Sequence, residues 1–322
     1  MLQTRGNARA TAGATAGACC TFRRVEPVPV FGPAAVKPAR SRQPARRATS
    51  WLLLPACGLL LGLGACRLRK SEADAPGKDQ PGVSSHCANG YSVASGPYRF
   101  ENNQWGRDKA SGGFEQCLLK RERDGQKQFG WTWHWPGEAP SVYAYPEVIW
   151  GWKPWTGGTS TDTRFPRRVS DIERLSLHYK VETEATGSYN LAPEVWLTQH
   201  RETSGKPSPE LITAEIMFWV DYSGISRPAG EVVEEVDIDG AHYELWRMSN
   251  MSSNGFSWPI FSFKRSEIAR EGTLNIHAFL KHMTSQGQIN PRDYVASLEF
   301  GNEIVGGRGT TWLERFEIEA AP

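Results

Sequence analysis

Cysteine is scarce in this chain. Of six in 322 residues, Cys19, Cys20, Cys57 and Cys66 fall in the first 66 positions. Only Cys87 and Cys117 remain beyond them, too few for a thiolate metal cage without further ligands nearby. Histidine is sparse as well, at seven, and no His, Cys or Asp cluster has metal-ligand spacing. The sequence therefore gives no ground for a metal or a cofactor. Long apolar runs are missing: the best candidate, residues 51–63, falls short of the roughly 20 residues that span a bilayer. Basic charge is missing too, once the chain is divided. Nine of the 37 Lys and Arg lie in residues 1–66, against one acid, Glu26, of 35 in total; the remainder holds 28 basic and 34 acidic residues, a net of −6. Nucleic-acid binding, which needs a basic patch, is excluded on that ground.

What the first 66 residues do contain is an export signal. Arg46 and Arg47 precede the apolar stretch 51–63, in the order of an n-region and an h-region. Leu63-Gly64-Ala65-Cys66 then resembles the lipobox of bacterial lipoproteins, whose Cys is acylated and becomes the new N-terminus. An ordinary cleaved signal peptide is the other reading. Residues 1–40, rich in Ala, Gly, Arg and Pro, should have no fold. The true start is expected downstream of Met1 at a non-Met codon, because the next methionine is Met217. Residues 67–85, polar with Pro76, Gly77, Pro81 and Gly82, read as a flexible tether. The expected organisation is a leader over 1–66, a tether over 67–85 and one folded domain over 86–322. The protein should be exported and touch a membrane only through a lipid on Cys66. Arg67, standing where an Asp would signal inner-membrane retention, points to the outer membrane.

In an exported chain Cys87 and Cys117 read most simply as a disulfide. Closing that loop would add roughly 3–4 kcal/mol in the chain-entropy model. The rest of the domain alternates with period two in many short runs. Strands are expected at 175–181, 194–197, 214–220, 257–263, 294–303 and 311–318, with a hairpin from 231–240 into 243–246 turning near Asp239-Gly240. One helix is expected, over 274–283, with Ile276, Phe279, Leu280 and Met283 at helical spacing. This is an all-β pattern, an antiparallel β-sandwich or jelly roll with one short helix.

The run Ala214 to Val220 organises the chemistry. Ile216, Phe218 and Val220 share one face and belong in the core; Glu215, Met217 and Trp219 share the other, a carboxylate beside a thioether and an indole. A solvated edge-strand Glu is the bland alternative. Glu194, beside Trp196 on one strand face, and Glu299 and Glu303, opposite Leu298 and Phe300, could meet Glu215 in one cleft. Two carboxylates across a bound sugar are what glycosidic cleavage needs: one attacks or activates water, the other protonates the leaving oxygen. Twelve of the thirteen tryptophans follow the leader, among them Trp131, Trp133 and Trp135 on one strand face. That exceeds what a core of this size requires, so some should be exposed and stack on sugar rings. Residues 150–165, with Trp150, Trp152 and Trp155, read as a loop on the cleft rim.

Five motifs in order resemble glycoside hydrolase family 12, the compact endo-β-1,4-glucanases and xyloglucanases, from Cys87 to Ile318. Asn102-Asn103-Gln104-Trp105-Gly106 resembles N-N-x-W-G. Trp133-His134-Trp135 through Tyr145-Pro146 resembles W-x-W followed by V-x-S-Y-P. Glu215-Ile216-Met217-Phe218-Trp219 resembles E-[LI]-M-I-W, and Phe300-Gly301-Asn302-Glu303 resembles F-G-T-E. The Cys pair matches the family's N-terminal disulfide. The resemblance implies a concanavalin-like jelly roll with a concave cleft and a retaining mechanism. Glu215 would be the nucleophile and Glu303, rather than Glu299, the acid/base. Asn103, Trp105, Trp133, Tyr145, Met217 and Trp219 would bind substrate. It also shows departures. Glu194 stands where the family has an Asp supporting the nucleophile, Ile304 replaces an aromatic or Pro, Tyr143-Ala144 replace Lys-Ser, and the Trp152/Trp155 loop is longer. The expected function is a monomeric retaining endo-glycosidase cutting β-1,4-glucans without a cofactor, with Glu303 raised in pKa and Glu215 ionised. The rival reading is a lectin on the same fold, which would need the tryptophans but not Glu215 and Glu303 together.

Overall fold

The computed structural model describes residues 74–137 and 141–321. The leader, the lipobox with Cys66, and the first part of the tether lie outside the described residues. In chain order the strands are β1 (Val83–His86), β2 (Ser92–Ser95), β3 (Tyr98–Glu101), β4 (Glu115–Arg123), β5 (Gln126–Trp135), β6 (Glu147–Gly151), β7 (Arg167–Arg168), β8 (Arg174–Thr198), β9 (Ile212–Trp219), β10 (Asp221–Ser223), β11 (Glu231–Ile238), β12 (Ala241–Ser253), β13 (Phe256–Arg265) and β14 (Glu271–Leu274). Helix α1 (Ile276–Ser285) and the last strand, β15 (Tyr294–Ala321), complete the chain.

Four expected strands are in fact two. Residues 175–181 and 194–197 both belong to β8, and 294–303 and 311–318 both belong to β15. These two run antiparallel over their whole lengths, from Tyr294 opposite Thr198 to Ala321 opposite Arg174. A straight strand would hold Phe300 and Phe316 of β15 roughly 50 Å apart. Their rings instead stack at 6.1 Å. Tyr179 of β8 also meets Phe300 at 5.4 Å, although Phe300 is paired with Pro193. The β8–β15 ribbon therefore folds back on itself and contributes to both layers of a sandwich. Glycine permits the crossing. Gly187 and Gly307 face each other with φ of +100° and +96°, and a Cβ on Gly307 would come within 2.1 Å of the Thr186 carbonyl.

One layer runs β2-β3-β6, half of β15, half of β8, β9, β13, β12, β11. The other runs β1-β4-β5 and the remaining halves of β15 and β8, with β14 at the edge. Among the described pairings only β9 with β13 is parallel. The β11–β12 hairpin turns at Asp239-Gly240, both with positive φ as such a two-residue turn requires. Between the layers Ile216, Phe218, Val220, Leu298 and Phe300 are buried as expected. Helix α1 starts two residues later than its periodicity suggests, because the Asn275 side chain caps it by accepting from the Ala278 N–H. Its Phe279 lies against Phe218 at 4.8 Å, Phe263 at 4.8 Å and Tyr243 at 5.1 Å.

Two expectations fail here. The flexible tether does not extend to residue 85. The Ala75 N–H donates to Glu115 at 2.8 Å, the Pro76 carbonyl accepts from Thr132 and Thr310, and 83–86 is strand β1. Backbone groups with partners in the domain hold this stretch despite its Pro and Gly. Nor are the indoles a surface feature. Trp131, Trp133 and Trp135 fill the core, and among the described tryptophans only Trp105, at 48 %, is strongly exposed. A ribbon that buries both layers against each other needs more aromatic volume than strand counting suggested. Cys87 and Cys117 are joined.

Candidate active site

The face of the sheet turned away from the core carries the acids. Alternation puts Glu215, Met217 and Trp219 there from β9, Asn190, Glu194 and Trp196 from β8, Glu299, Gly301 and Glu303 from β15, and Glu147 from β6. The register fixes neighbours: Trp196 faces Glu215, Glu194 faces both Met217 and Glu299, and Asn190 faces Glu303. Strand β8 thus lies between the strands that bear Glu215 and Glu303.

Each of these two carboxylates is held by one side-chain donor. Trp258 of β13 donates its indole N–H to Glu215 Oε2 at 2.6 Å. Trp258 is itself set edge-on against Trp155 at 5.1 Å and Trp196 at 5.7 Å. The Asn190 amide donates to Glu303 Oε2, and its Oδ1 accepts the Glu303 backbone N–H at 3.3 Å. Asn190 is anchored in turn: Asn302 donates to its carbonyl at 3.0 Å, and Asn302 Oδ1 accepts from Trp131 at 2.7 Å. Burial pushes Glu215 up to about 8; the Trp258 donation opposes this and the Glu303 charge adds to it. Burial also lifts Glu303 to about 7 against the pull of Asn190. Burial first, then the charge of Glu215, holds Glu194 well above the ordinary glutamate range. The expectation that Glu303 alone would be raised is therefore corrected. Glu215 lies deeper, in a floor closed by Trp258 and Trp196.

The expected sugar-binding residues separate. Asn103 donates to Glu147 at 2.9 Å and so borders the acidic face. Trp105 stands exposed two residues on, with the Lys109 ammonium 4.6 Å from its ring centre. Met217 and Trp219 form a small apolar cluster with Ala192 and Ile260, apart from the main core. Tyr145 is buried and props the site: its hydroxyl donates to the Ala192 carbonyl at 2.7 Å. The chain before Glu147 runs so close over β15 that a Cβ on Gly301 would meet the Pro146 carbonyl at 2.4 Å, which explains the glycine of that motif. Trp133 does not belong with them; it is wholly buried between the layers, edge-on to Tyr189. Two of the departures from the family pattern meet: Ala144 pairs with Ile304, and Tyr143 bonds its N–H to the Ile304 carbonyl at 2.8 Å. The Trp155 of the long loop reaches Trp258, the donor to Glu215.

Sequence reading missed Asn190, Trp258 and the pair Glu147–Lys153. Asn190 was findable, being four residues before Glu194 on one strand face, had 174–198 been read as one strand. Trp258 lies 43 positions from Glu215 and carries no local signal. Among the described residues, the group able to offer metal ligands together is Cys87, Glu115 and Cys117. Its sulfurs are bonded to each other and Glu115 is occupied by Lys78 and the Ala75 N–H.

Comparison with known proteins decides the family. The model of glycosyl hydrolase family 12 matches residues 96–320. This chain belongs to that family. Within family 12, Endoglucanase S of Pectobacterium parmentieri is 29 % identical over 237 residues, 73 % of this chain and 86 % of that one. The structure of a family 12 xyloglucanase from Bacillus licheniformis superposes with a TM-score of 0.66 at 29 % identity, covering 74 % of this chain and all of that one. An endoglucanase of Rhodothermus marinus shares the fold, with a TM-score of 0.59 at 22 % identity. The all-β sandwich and the reading of the chain as a glycoside hydrolase both stand.

Proposed function

We propose that the protein is a retaining endo-β-1,4-glucanase that works by double displacement, with xyloglucan among its substrates. One observation carries the reading: Glu215 and Glu303 stand on the same sheet face, on either side of β8, each gripped by a dedicated N–H donor. Glu215 attacks the anomeric carbon while Glu303 protonates the leaving oxygen. Glu303, now charged, then takes a proton from the water that releases the sugar. Glu194 supports Glu215 by holding the shared proton, since neighbouring like charges disfavour double ionisation. Met217, Trp219, Asn103 and Trp105 bind the glucan chain. The xyloglucanase and endoglucanase relatives at 29 % identity support the substrate class.

The form that reacts has Glu215 ionised and Glu303 protonated. With the pair's ionisations at about 7 and about 8, the state holding one proton between them peaks between those values, where the bell of kcat/KM should centre; because the higher value falls on Glu215, the reacting arrangement is the scarcer of the two that share that proton. A reducing-sugar assay of the purified protein on carboxymethylcellulose, mixed-linkage glucan and xyloglucan tests the reading. Release from at least one, with a rapid fall in viscosity, is expected; binding without release would favour the lectin.

We also infer that the protein acts as a monomer anchored to the outer membrane by a lipid on Cys66. The lipobox-like run 63–66 supports this. Cys66→Ala should move the protein from the membrane to the soluble fraction. A wild-type protein already soluble and beginning after residue 66 would contradict the anchor.

A further inference from the structure

Beside the two catalytic acids, on the same sheet face, lies a buried ion cluster that the glycosidase reading does not use. Lys153 Nζ donates to Glu147 Oε1 at 2.6 Å and to Glu299 Oε2 at 2.8 Å. Ser297 donates to the other Glu299 oxygen at 2.9 Å. All three charged side chains are sealed from solvent, at 4 % or less. Burying such a cluster is costly, and such clusters often contribute nothing to stability over apolar packing. Its placement is what stands out. Glu299 faces Glu194 across the β8–β15 pairing, and Glu147 receives Asn103 of the cleft border.

We propose that Lys153 is a positioning residue for the reaction: the one buried cation among the described residues, it sets how many protons the carboxyls of Glu147, Glu194, Glu215, Glu299 and Glu303 hold together, and hence the pH range in which Glu215 can attack. The proposal rests on the glycosidase reading of Glu215 and Glu303.

The groups facing Lys153 come from every neighbouring strand. They are Glu147 of β6 and Glu299 of β15, which touch it, and Glu101 of β3, itself 3.6 Å from Arg99, and Glu215 of β9, which feel its charge; Glu194 of β8 and Glu303 of β15 are coupled to Glu215 in turn. Within the cluster the two acids divide. Burial works against the charge on Glu299, but Lys153 and the donors around it hold it below the ordinary range. Burial lifts Glu147 well above that range despite Lys153, and the charge on Glu299 adds to the effect. Geometry agrees: Glu147 Oε2 is buried with no donor aimed at it, so nothing at that oxygen stabilises the charged form. Lys153 and Glu299 therefore stay charged, and Lys153 draws Glu215 downward toward ionisation. Without its ammonium the carboxyls would bind their protons more tightly at a given pH, Glu215 included.

The test is the pH profile of kcat/KM, which a merely structural role would leave in place. Lys153→Met should move the acid limb up by roughly half a unit or more. The double variant Glu147→Gln with Glu299→Gln keeps the cation and removes its partners, so it should move the limb down by a similar amount. Folding is checked by circular dichroism. If Lys153→Met fails to fold, the double variant alone decides. A folded variant whose limb stays within about 0.2 units of wild type overturns the proposal. If the wild type cuts none of the three glucans, the glycosidase reading has failed instead. Carboxyl carbon-13 NMR titration of glutamate-labelled wild type and double variant then still decides the role of Lys153. A downward move of the Glu215 midpoint supports it, and an unmoved midpoint overturns it.

Discussion

Strand β9 presents two faces with opposite physics. Ile216, Phe218 and Val220 point inward, where Phe218 meets Phe263 and Phe279 and both sides of the contact are buried. Glu215, Met217 and Trp219 point the other way, and Glu215 is almost as deeply buried, at 7 %. The inward face places apolar atoms where burial is favourable. The outward face places a carboxyl where burial raises its pKa, beside further carboxyls that raise it more. One strand thus supplies stability with one set of residues and strained ionisation with the next, one position apart. A face that costs stability is retained only where chemistry uses it, so the alternation separates fold from function along a single backbone.

The comparison can be broken by exchanging the roles. Glu215→Gln should lower kcat by at least about 10⁴-fold while leaving the melting temperature equal or higher, because a buried ionisable group is replaced by a neutral one. Phe218→Ala should do the reverse. It should cost about 3–5 kcal/mol of stability and leave turnover per folded molecule nearly intact. A Phe218→Ala protein that is stable but inactive would erase the distinction between the faces.

Smaller changes sharpen it. Glu303→Gln should slow hydrolysis of natural glucans by roughly 10²–10⁴-fold, yet an activated aryl glycoside, which needs no leaving-group proton, should still form the glycosyl-enzyme. Mass spectrometry of the trapped protein reads this directly. Trp258→Phe removes the N–H that stabilises charged Glu215, so its pKa should rise and the acid limb of kcat/KM should move to higher pH. Asn190→Ala does the same to Glu303, and the alkaline limb should move up.

The smallest expected effect is on stability against pH. Glu194, Glu215 and Glu303 all titrate higher in the folded protein than in the unfolded chain. The native state therefore binds more protons between the ordinary glutamate value and about 8, and stability must fall as pH rises through that window. The melting temperature should drop between pH 5 and pH 8. Glu215→Gln should flatten the slope. A melting temperature that rises across the window in the wild type would contradict the buried-acid account.

Much of this was legible in the sequence. Period-two alternation located β9 and assigned its faces, the Asp239-Gly240 turn marked the β11–β12 hairpin, and the expectation of export led to the pairing of Cys87 with Cys117. The length of β8 and β15 was not legible. Gly187, Gly306 and Gly307 lie inside the two strands and let them run on continuously as they cross between layers. The role of the tryptophans was misread because composition counts indoles without saying which face they take; Trp133 went to the core, and among the described tryptophans only Trp105 is strongly exposed. Glu147, Lys153 and Glu299 could not be joined from sequence, since 146 positions separate two of the partners and only the β6–β15 pairing brings them together.

The most direct test of the roles given to Glu215 and Glu303 is proton NMR of the first sugar released from a β-1,4-glucan, recorded before mutarotation. Attack by Glu215 followed by water activated at Glu303 predicts the β-anomer. If the α-anomer appears first, no glycosyl-enzyme forms on Glu215, and the assignment of both carboxyls falls with it.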